Sequence, residues 1–348
     1  MELIPKNLKA IVFSATNQVE IREIPMPEIG MDGVRVKTLY TMVSSGTELR
    51  VFSGRGEADR QFPLIPGYVV VGEVVEVGPE AQGWKVGDLV SGRNPITPAA
   101  GLNLVYGGQQ SYHVYPAKGD CQPVLLPEGA DPLDYAVAEI AAISLRGVDL
   151  ADPQPGETAV VVGQGLIGAL SAGWLAAAGC RVIVVDRAAA RLARAARWNV
   201  AATVNASEED VHARLTTLLP QGADIVVEAS ASVAGLKTAQ AALRRMDPVI
   251  AQRPRWPRLI IQASFSVEVP TNPGDFSPGE GTLVLTPGDR RLPDRAKAIE
   301  GLRTGRLRGK DFLDKIVPYT DAPASYALLR DDPNACFSLV FDWSTAAR

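Results

Sequence analysis

A glycine motif between two apolar runs constrains this chain more than any other feature. The segment Glu157–Asp186 predicts a strand, a helix and a second strand, and the first turn has the spacing G-x-G-x-x-G at Gly163, Gly165 and Gly168. Such glycines allow a tight turn, a close approach to a pyrophosphate and close helix–strand packing. The helix then presents unpaired N–H groups to the phosphates. The sequence therefore predicts a βαβ unit that binds a dinucleotide.

The end of the second strand indicates which dinucleotide is bound. A carboxylate at Asp186 can accept the ribose hydroxyls of NAD, whereas the 2′-phosphate of NADP would meet its negative charge. Arg187 follows directly and could soften that repulsion. We therefore expect NAD as the cofactor. The expected binding residues are Gly163, Gly165, Leu166, Ile167, Gly168, Asp186 and Arg187.

Length and composition exclude several classes of protein. The chain has 348 residues, enough for two domains. Its small formal net charge of -4 does not suggest a nucleic-acid partner, which would normally need a concentrated basic surface. No segment reads as a signal peptide or a membrane span, so we expect a cytoplasmic protein. The three scattered cysteines argue against a disulfide framework and a zinc lobe. His113 and His212 lack the partners of a metal site, and we expect them to be structural.

The sequence changes character along its length. Residues 1–150 contain short alternating segments such as Val69–Val77, separated by Gly and Pro turns, and predict a compact β-rich domain. Within them, Asn94–Gly108 either covers a cleft or is a surface insert. Residues 151–287 alternate between strands and helices, which predicts a doubly wound parallel sheet with its ligand at the carboxyl edge. Residues 288–348 are expected to return to the first domain. Further strands are predicted over Ala202–Asn205, Ile225–Glu228, Leu259–Ala263 and Thr282–Leu285, and helices over Pro132–Val148, Ser207–Leu219, Val233–Leu243 and Leu292–Thr304.

This organisation resembles the medium-chain dehydrogenase/reductase superfamily. Supporting segments are GWKVGDLV at Gly83–Val90 and GADIVVEAS at Gly222–Ser230, and the resemblance covers essentially the whole chain. It implies an α/β fold in which a doubly wound parallel Rossmann sheet is joined to a β-rich GroES-like catalytic domain. It also implies a cleft between the domains and a homodimer that could form through the edge strand Thr282–Leu285.

The chain departs from zinc-dependent members of that superfamily at the ligand positions. Those members carry C-G-T-D and then P-G-H-E, whereas this chain reads S-G-T-E at Ser45–Glu48 and P-G-Y-V at Pro66–Val69. Glu139 matches an acid that many polyol dehydrogenases of the superfamily use as a further ligand. One carboxylate cannot replace three or four ligands, so we expect no metal. The motifs and the ending ACFSLVFDW are similar to the branch containing bacteriochlorophyllide a dehydrogenase.

The resemblance implies an oxidoreductase that interconverts a secondary alcohol, such as a sugar or cyclitol, and a ketone by hydride transfer to NAD. Without a metal, hydrogen-bond donors must stabilise the developing alkoxide. We expect Tyr68 to donate to the substrate oxygen or exchange its proton, assisted by Ser45 or Thr47, and Glu139 to orient a substrate hydroxyl or relay a proton. Alternatively, Tyr68 and Ser45 only fill the vacant metal pocket by bonding each other. Two other functions stay open: a zinc-free quinone or enoyl reductase, and a dinucleotide-binding sensor without turnover.

Overall fold

The chain divides into two compact units. In the computed structural model the first unit comprises Met1–Glu139, Arg291–Arg303 and Arg308–Arg348, and the second comprises Ile140–Arg290 and Thr304–Leu307. The boundary between the units at Glu139 and Ile140 falls inside the helix Ala138–Ala151, whereas the predicted boundary is at 150/151. The structure describes residues 4–55, 61–93, 95, 101–104, 106–244, 255–265, 268–269, 281–285, 288, 292–332 and 334–346.

The described residues form strands and helices that are numbered here in chain order. The strands are β1 (Asn7–Ala15), β2 (Gln18–Pro25), β3 (Gly33–Met42), β4 (Leu64–Ile65), β5 (Val69–Val77), β6 (Leu89–Gly92), β7 (Asn103–Leu104), β8 (Tyr112–Pro116), β9 (Val124–Leu125), β10 (Thr158–Val162), β11 (Arg181–Asp186), β12 (Ala202–Asn205), β13 (Ile225–Glu228), β14 (Arg258–Ile261), β15 (Thr282–Leu285), β16 (Lys315–Pro318) and β17 (Leu339–Asp342). The helices are α1 (Ser45–Phe52), α2 (Ala138–Ala151), α3 (Leu166–Ala177), α4 (Ala189–Arg194), α5 (Val211–Leu218), α6 (Val233–Ala242), α7 (Leu292–Arg303) and α8 (Ala322–Asp331).

The first unit is built on two sheets. One has the strand order β2-β1-β4-β7, and the other has the order β16-β17-β3-β5-β6-β9 with β8 paired to β3. Strand β17 runs antiparallel to β3, with Val340 opposite Met42. This pairing joins a strand near the end of the chain to the sheet that contains β3. An aromatic core that includes Phe13, Phe52 and Tyr326 packs beside it.

The second unit contains the predicted parallel Rossmann sheet. Its six strands have the order β12-β11-β10-β13-β14-β15, and each neighbouring pair is parallel. The chain moves outward from β10 to β12 and then returns to β13 on the other side of β10. That reversal is the topological switch point at which open α/β sheets bind ligands. Strand β10 is an apolar run buried on both faces, as expected of a parallel strand covered by helices.

Two predicted helices differ from the sequence pattern in where they begin or in whether they are continuous. The helix expected from Ser207 begins at Val211, because the Asp210 side chain accepts a hydrogen bond from the Ala213 amide and caps the first turn. The helix expected from Pro132 is divided into a 3₁₀ turn, Pro132–Tyr135, and α2. Asp210 thus decides where α5 begins, whereas Asp131 caps the 3₁₀ turn at its predicted start by accepting a hydrogen bond from the Leu133 amide.

Two other expectations concern loops and membranes. Only residues 95, 101–104 and 106–108 of the segment Asn94–Gly108 lie within the described residues, and they include β7, which pairs with β4. Whether that segment covers a cleft therefore stays a prediction. Among the helices that are described, none combines the length and the apolar character needed to cross a membrane.

Candidate active site

Tyr68 directly precedes β5 and is fixed there by a close approach of two backbone segments. Gly67 has φ +85°, a conformation that favours glycine, and its carbonyl accepts a hydrogen bond of 2.7 Å from the Gly108 amide. A Cβ added at Gly108 would lie 2.8 Å from the carbonyl carbon of Gly67. Both positions therefore require glycine. The contact holds the Tyr68 side chain in a buried position with 5% of its surface exposed.

The partner of the Tyr68 hydroxyl is Ser44, which the sequence motif does not include. The two hydroxyl oxygens are 2.7 Å apart. Ser44 occupies the N-cap position of helix α1, yet its side chain makes no capping hydrogen bond. The predicted bond between Ser45 and Tyr68 is wrong: Ser45 is exposed, and its neighbour takes that role. Thr47 is half-buried, and its amide donates to the Ser44 carbonyl.

Glu48 is a buried carboxylate that gathers three hydrogen-bond donors. Its Oε1 accepts from the Ser44 amide at 2.7 Å. Its Oε2 accepts from the Tyr326 hydroxyl at 2.5 Å and from Gln109 Nε2 at 3.2 Å. Glu48 bonds the backbone amide of Ser44, and Tyr68 bonds the Ser44 hydroxyl. The Glu48 carboxylate therefore holds in place the residue that bonds the Tyr68 phenol.

The same network extends into the core of the first unit. Gln109 Oε1 accepts a hydrogen bond of 2.5 Å from the Thr41 hydroxyl. The Thr41 oxygen in turn accepts one of 2.8 Å from the Trp343 indole N–H. Both Thr41 and Trp343 are buried. A continuous series of hydrogen bonds therefore connects strand β3 and the residue after β17 to Glu48, which restricts how far Glu48 can move.

Burial sets the protonation states of Tyr68 and Glu48. It raises the pKa of Tyr68 to about 12, although the Ser44 hydrogen bond and the Arg93 charge act in the opposite direction. Tyr68 is therefore a neutral phenol near neutral pH and acts as a donor rather than as a phenolate base. Burial also raises the pKa of Glu48 to about 7, while its bonds to Tyr326, Ser44 and Gln109 favour the ionised form.

Glu139 lies in a buried ion pair rather than in an open position. Its carboxylate contacts the Arg295 guanidinium, and the two side chains are 0% and 1% exposed. Arg295 also donates to the Ser91 carbonyl at 2.8 Å and to the Gln122 carbonyl at 3.2 Å. Arg93 lies on the other side, with Nη1 3.9 Å from Glu139 Oε2. The structure therefore favours a role for Glu139 in holding two arginines over the predicted proton relay.

The residues at the family's metal positions do not fit a zinc site. Zinc requires three or four N, S or O ligands in tetrahedral geometry. Here the Tyr68 hydroxyl bonds Ser44, and Glu139 pairs with Arg295. Within the described part of the chain, no three His, Cys, Asp or Glu side chains form a group suited to a metal ion. His113 is buried in β8, where burial lowers its pKa to about 3, and His212 lies in α5.

The dinucleotide motif has the geometry that its glycines predict. Gly163 has φ +93°, and a Cβ on Gly168 would lie 1.8 Å from the Gly163 carbonyl oxygen. A Cβ on Gly165 would meet no atom within 4 Å, so its backbone faces open space where phosphates can approach. Leu166 and Ile167 begin helix α3 and are half-buried.

Asp186 ends β11 beside this turn. Its Oδ2 accepts from the Gln164 amide at 2.6 Å and its Oδ1 from the Ala188 amide at 2.8 Å. Each carboxylate oxygen has a further lone pair for a ribose hydroxyl. Arg187 is exposed, and Arg191 Nη1 lies 4.0 Å from Asp186 Oδ2. The residues present therefore fit a bound dinucleotide.

Known protein families match a segment in each of the two units. Residues 30–126 match the alcohol dehydrogenase GroES-like domain, and residues 167–249 match the zinc-binding dehydrogenase domain. The sorbitol dehydrogenase of Bacillus subtilis is 25% identical over 261 residues, which cover 70% of this chain and 74% of the relative. The L-threonine 3-dehydrogenase of Photorhabdus laumondii is 28% identical over 246 residues, covering 62% and 68%.

A solved structure shows the same fold at lower identity. The 2R,3R-butanediol dehydrogenase of Bacillus subtilis superposes with a TM-score of 0.82 at 20% identity, covering 96% of this chain and 99% of that one. The GroES-like domain, the parallel Rossmann sheet and the two matched domain families lead to one conclusion. The chain is an oxidoreductase of the medium-chain dehydrogenase/reductase superfamily.

Proposed function

We propose that this protein is a zinc-independent, NAD(H)-dependent oxidoreductase that interconverts a secondary alcohol, such as a sugar or cyclitol, and a ketone. The observation that carries the proposal is the 2.7 Å hydrogen bond between the hydroxyls of Tyr68 and Ser44. Tyr68 stands where zinc-dependent members of the superfamily have a histidine ligand. The motif similarity to the branch containing bacteriochlorophyllide a dehydrogenase supports the zinc-free assignment. The relatives named for sorbitol and threonine support a small hydroxylated substrate.

Tyr68 binds the reacting oxygen in this mechanism. When bound, the nicotinamide supplies a hydride acceptor for alcohol oxidation and a hydride donor for ketone reduction. The phenol is neutral, since burial raises its pKa to about 12. In reduction it donates its proton to the ketone oxygen as negative charge develops there. Ser45 and Thr47, in the first turn of helix α1, remain predicted additional donors.

Ser44 completes a path for the proton. In oxidation, the substrate hydroxyl gives its proton to the Tyr68 oxygen while Tyr68 passes its own proton to the Ser44 oxygen. Ser44 is half-buried and, as it accepts that proton, releases its own hydroxyl proton to solvent. Every residue is neutral before and after the transfer, so no phenolate is needed. Glu48 orients this path by accepting the Ser44 amide hydrogen.

Asp186 supports NAD rather than NADP. Its carboxylate ends β11 and can accept ribose hydroxyls, whereas a 2′-phosphate would be repelled. This preference also separates the proposal from a quinone or enoyl reductase that uses NADPH.

A substrate panel tests the proposed function. Reduction of NAD is followed at 340 nm across secondary alcohols, sugars and cyclitols, oxidation of NADPH is followed with quinones and enones, and NAD affinity is measured separately. We expect turnover with NAD and an alcohol in metal-free protein. Turnover restricted to NADPH and enones would favour a reductase, and NAD affinity without turnover would favour a sensor. Stoichiometric zinc in the active protein would contradict the zinc-free mechanism.

We also propose that the protein forms a homodimer through β15. This strand is the last in the described sheet, and Leu283 and Leu285 are 41% and 68% exposed. An edge strand with unpaired N–H and C=O groups can pair with a second chain. Two exposed leucines on the same strand add apolar surface to such an interface.

A further inference from the structure

Gln109 is a fully buried residue that supports both partners of the hydrogen bond between Tyr68 and Ser44. It lies between β7 and β8, and 0% of its surface is exposed. Its backbone amide donates to the Pro66 carbonyl at 2.9 Å. Its side chain packs on Gly67, where an added Cβ would lie 2.6 Å from Gln109 Cγ. Gln109 therefore supports the backbone directly before Tyr68.

The amide of the same side chain supports Ser44. Its Nε2 donates to Glu48 Oε2 at 3.2 Å, and Glu48 Oε1 accepts from the Ser44 amide at 2.7 Å. The Ser44 hydroxyl in turn bonds the Tyr68 hydroxyl. Gln109 thus reaches the phenol by two routes, one through the backbone before Tyr68 and one through Glu48. Loss of the Gln109 amide would remove the second route and leave the first.

The orientation of this amide is fixed by groups that form hydrogen bonds in only one direction. The Trp343 indole N–H can only donate, and it donates to the Thr41 oxygen at 2.8 Å. Thr41 donates its own hydrogen to Gln109 Oε1 at 2.5 Å. The NH₂ group of the amide therefore faces Glu48, whose ionised carboxylate can only accept. A reversed amide would place two acceptor oxygens against each other, so the network allows one arrangement around Glu48.

We propose that Gln109 is a positioning residue that holds the hydroxyls of Ser44 and Tyr68 at hydrogen-bonding distance. The inference rests on the proposed function, because it concerns the proton path of the same site. Gln109 acts on the two hydroxyls through Glu48 and through the backbone at Gly67. Proton transfer requires donor and acceptor within hydrogen-bond reach, and a displacement of about 1 Å can slow a reaction on the order of a hundredfold. A fully satisfied buried network prevents such a displacement, because it specifies one arrangement of the side chains that it joins.

Gln109→Met tests the amide separately from the packing. Methionine can keep the contact with Gly67 through its flexible, unbranched side chain, but it cannot donate to Glu48. We expect kcat for alcohol oxidation to fall roughly tenfold, the effect of losing one hydrogen bond to a charged group, while the affinity for NAD is retained. In a Ser44→Ala background the same substitution should lower kcat by about twofold at most, because its route to Tyr68 is already broken.

Two substitutions of Thr41 provide a second test. Thr41→Val removes the hydrogen bond that orients the Gln109 amide and should also lower kcat, whereas Thr41→Ser keeps the hydroxyl and should retain most of the activity. Should Gln109→Met fail to fold, this pair decides, since equal kcat in both Thr41 variants would reject the inference.

The control for the substitution itself is Gln240→Met, which replaces a half-buried glutamine in helix α6 of the second unit. We expect it to keep the kcat of the wild type. Wild-type kcat in Gln109→Met, or losses that simply add in the double variant with Ser44→Ala, would overturn the inference.

A measurement without turnover separates this inference from the proposed function. Tyrosine labelled with carbon-13 at Cζ gives an NMR signal that responds to hydrogen bonding of the hydroxyl, and Tyr68→Phe identifies the signal of Tyr68. We expect Gln109→Met to move this signal in the direction of Ser44→Ala, and Gln240→Met to leave it in place. An unmoved signal would reject the role of Gln109 even in an active enzyme. A moved signal in a protein that oxidises no alcohol would support that role and contradict the proposed function. Thermal melting of each variant verifies that it is folded.

Discussion

The hydroxyl of Tyr326 donates a hydrogen bond of 2.5 Å to Oε2 of Glu48. The bond ties helix α8, near the end of the chain, to helix α1, whose N-cap residue contacts Tyr68. Tyr326 is fully buried among aromatic side chains, and the same environment keeps water from Glu48. The protonation of this carboxyl therefore depends on the packing of the C-terminal helix.

Glu48 should make the protein less stable as the pH rises through neutrality. Burial raises its pKa from 4.5 to about 7, so the folded state holds a proton that the unfolded state releases between those values. This contribution is fully present below pH 4.5 and is lost as the pH passes 7, at about 3 kcal/mol in total. Denaturant unfolding at pH 5 and pH 8 measures it. We expect Glu48→Gln to lose less stability over this interval than the wild type or the exposed-site control Glu80→Gln; parallel losses in all three would contradict the prediction.

Removal of the Tyr68 hydroxyl should abolish most turnover. We expect Tyr68→Phe to lower kcat on the order of a hundredfold, the usual effect of losing one donor to a developing oxyanion. The affinity for NAD, measured by fluorescence titration, should be retained. Activity close to that of the wild type would assign Tyr68 to packing, the alternative in which it only fills the vacant metal pocket.

The two neighbouring serines should differ in their effect. Ser44→Ala removes the hydroxyl that bonds Tyr68 and should lower kcat on the order of a hundredfold. Ser45 is exposed, so Ser45→Ala should cause a smaller loss. Solvent isotope effects on kcat add a second measurement, since a proton path through Ser44 should show a larger effect in the wild type than in Ser44→Ala. A greater loss in Ser45→Ala would restore the motif-based assignment.

The carboxylate of Asp186 should set the cofactor preference. Asp186→Ser removes the charge that repels a 2′-phosphate, while Arg187 and Arg191 stay nearby as cations. We expect the ratio of NAD to NADP affinity to fall roughly tenfold or more, equivalent to about 1.4 kcal/mol. Titration with both dinucleotides measures the ratio. An unchanged ratio would remove the argument for NAD.

A charge on the edge strand should weaken the proposed dimer. Leu285→Lys places an ammonium on the most exposed leucine of β15. We expect the variant to be monomeric at concentrations at which the wild type is dimeric, as measured by analytical ultracentrifugation. A monomeric wild type would reject the proposal, and a dimeric variant would place the interface elsewhere.

The Rossmann unit was predictable because its information is local. The strand and helix around Gly163 follow from apolar runs and glycine spacing, and β15 has the predicted bounds. Helix starts were less predictable, since Asp210 moved one of them through a side-chain bond. The spacing of apolar residues does not indicate where a side chain will cap a helix.

The candidate site was only partly predictable. Tyr68 could be located from its motif, but its partner is Ser44, whose only sequence signal is that a serine precedes a helix start. No sequence pattern pointed to Arg93 or Arg295 as neighbours of Glu139, because sheet pairing and helix packing bring them there from remote parts of the sequence. The role of Glu48 likewise depends on Tyr326, which lies 278 residues away.

Helix α1 begins without the side-chain cap that its first serine could provide. A serine cap stabilises a helix by about 1 kcal/mol, and here the same hydroxyl is bound to the phenol. Heat resistance and proton movement therefore compete for a single oxygen atom. Laboratory selection for thermal stability alone should favour variants in which the Ser44 hydroxyl caps the helix instead of bonding Tyr68. Such variants should fold well but turn over slowly.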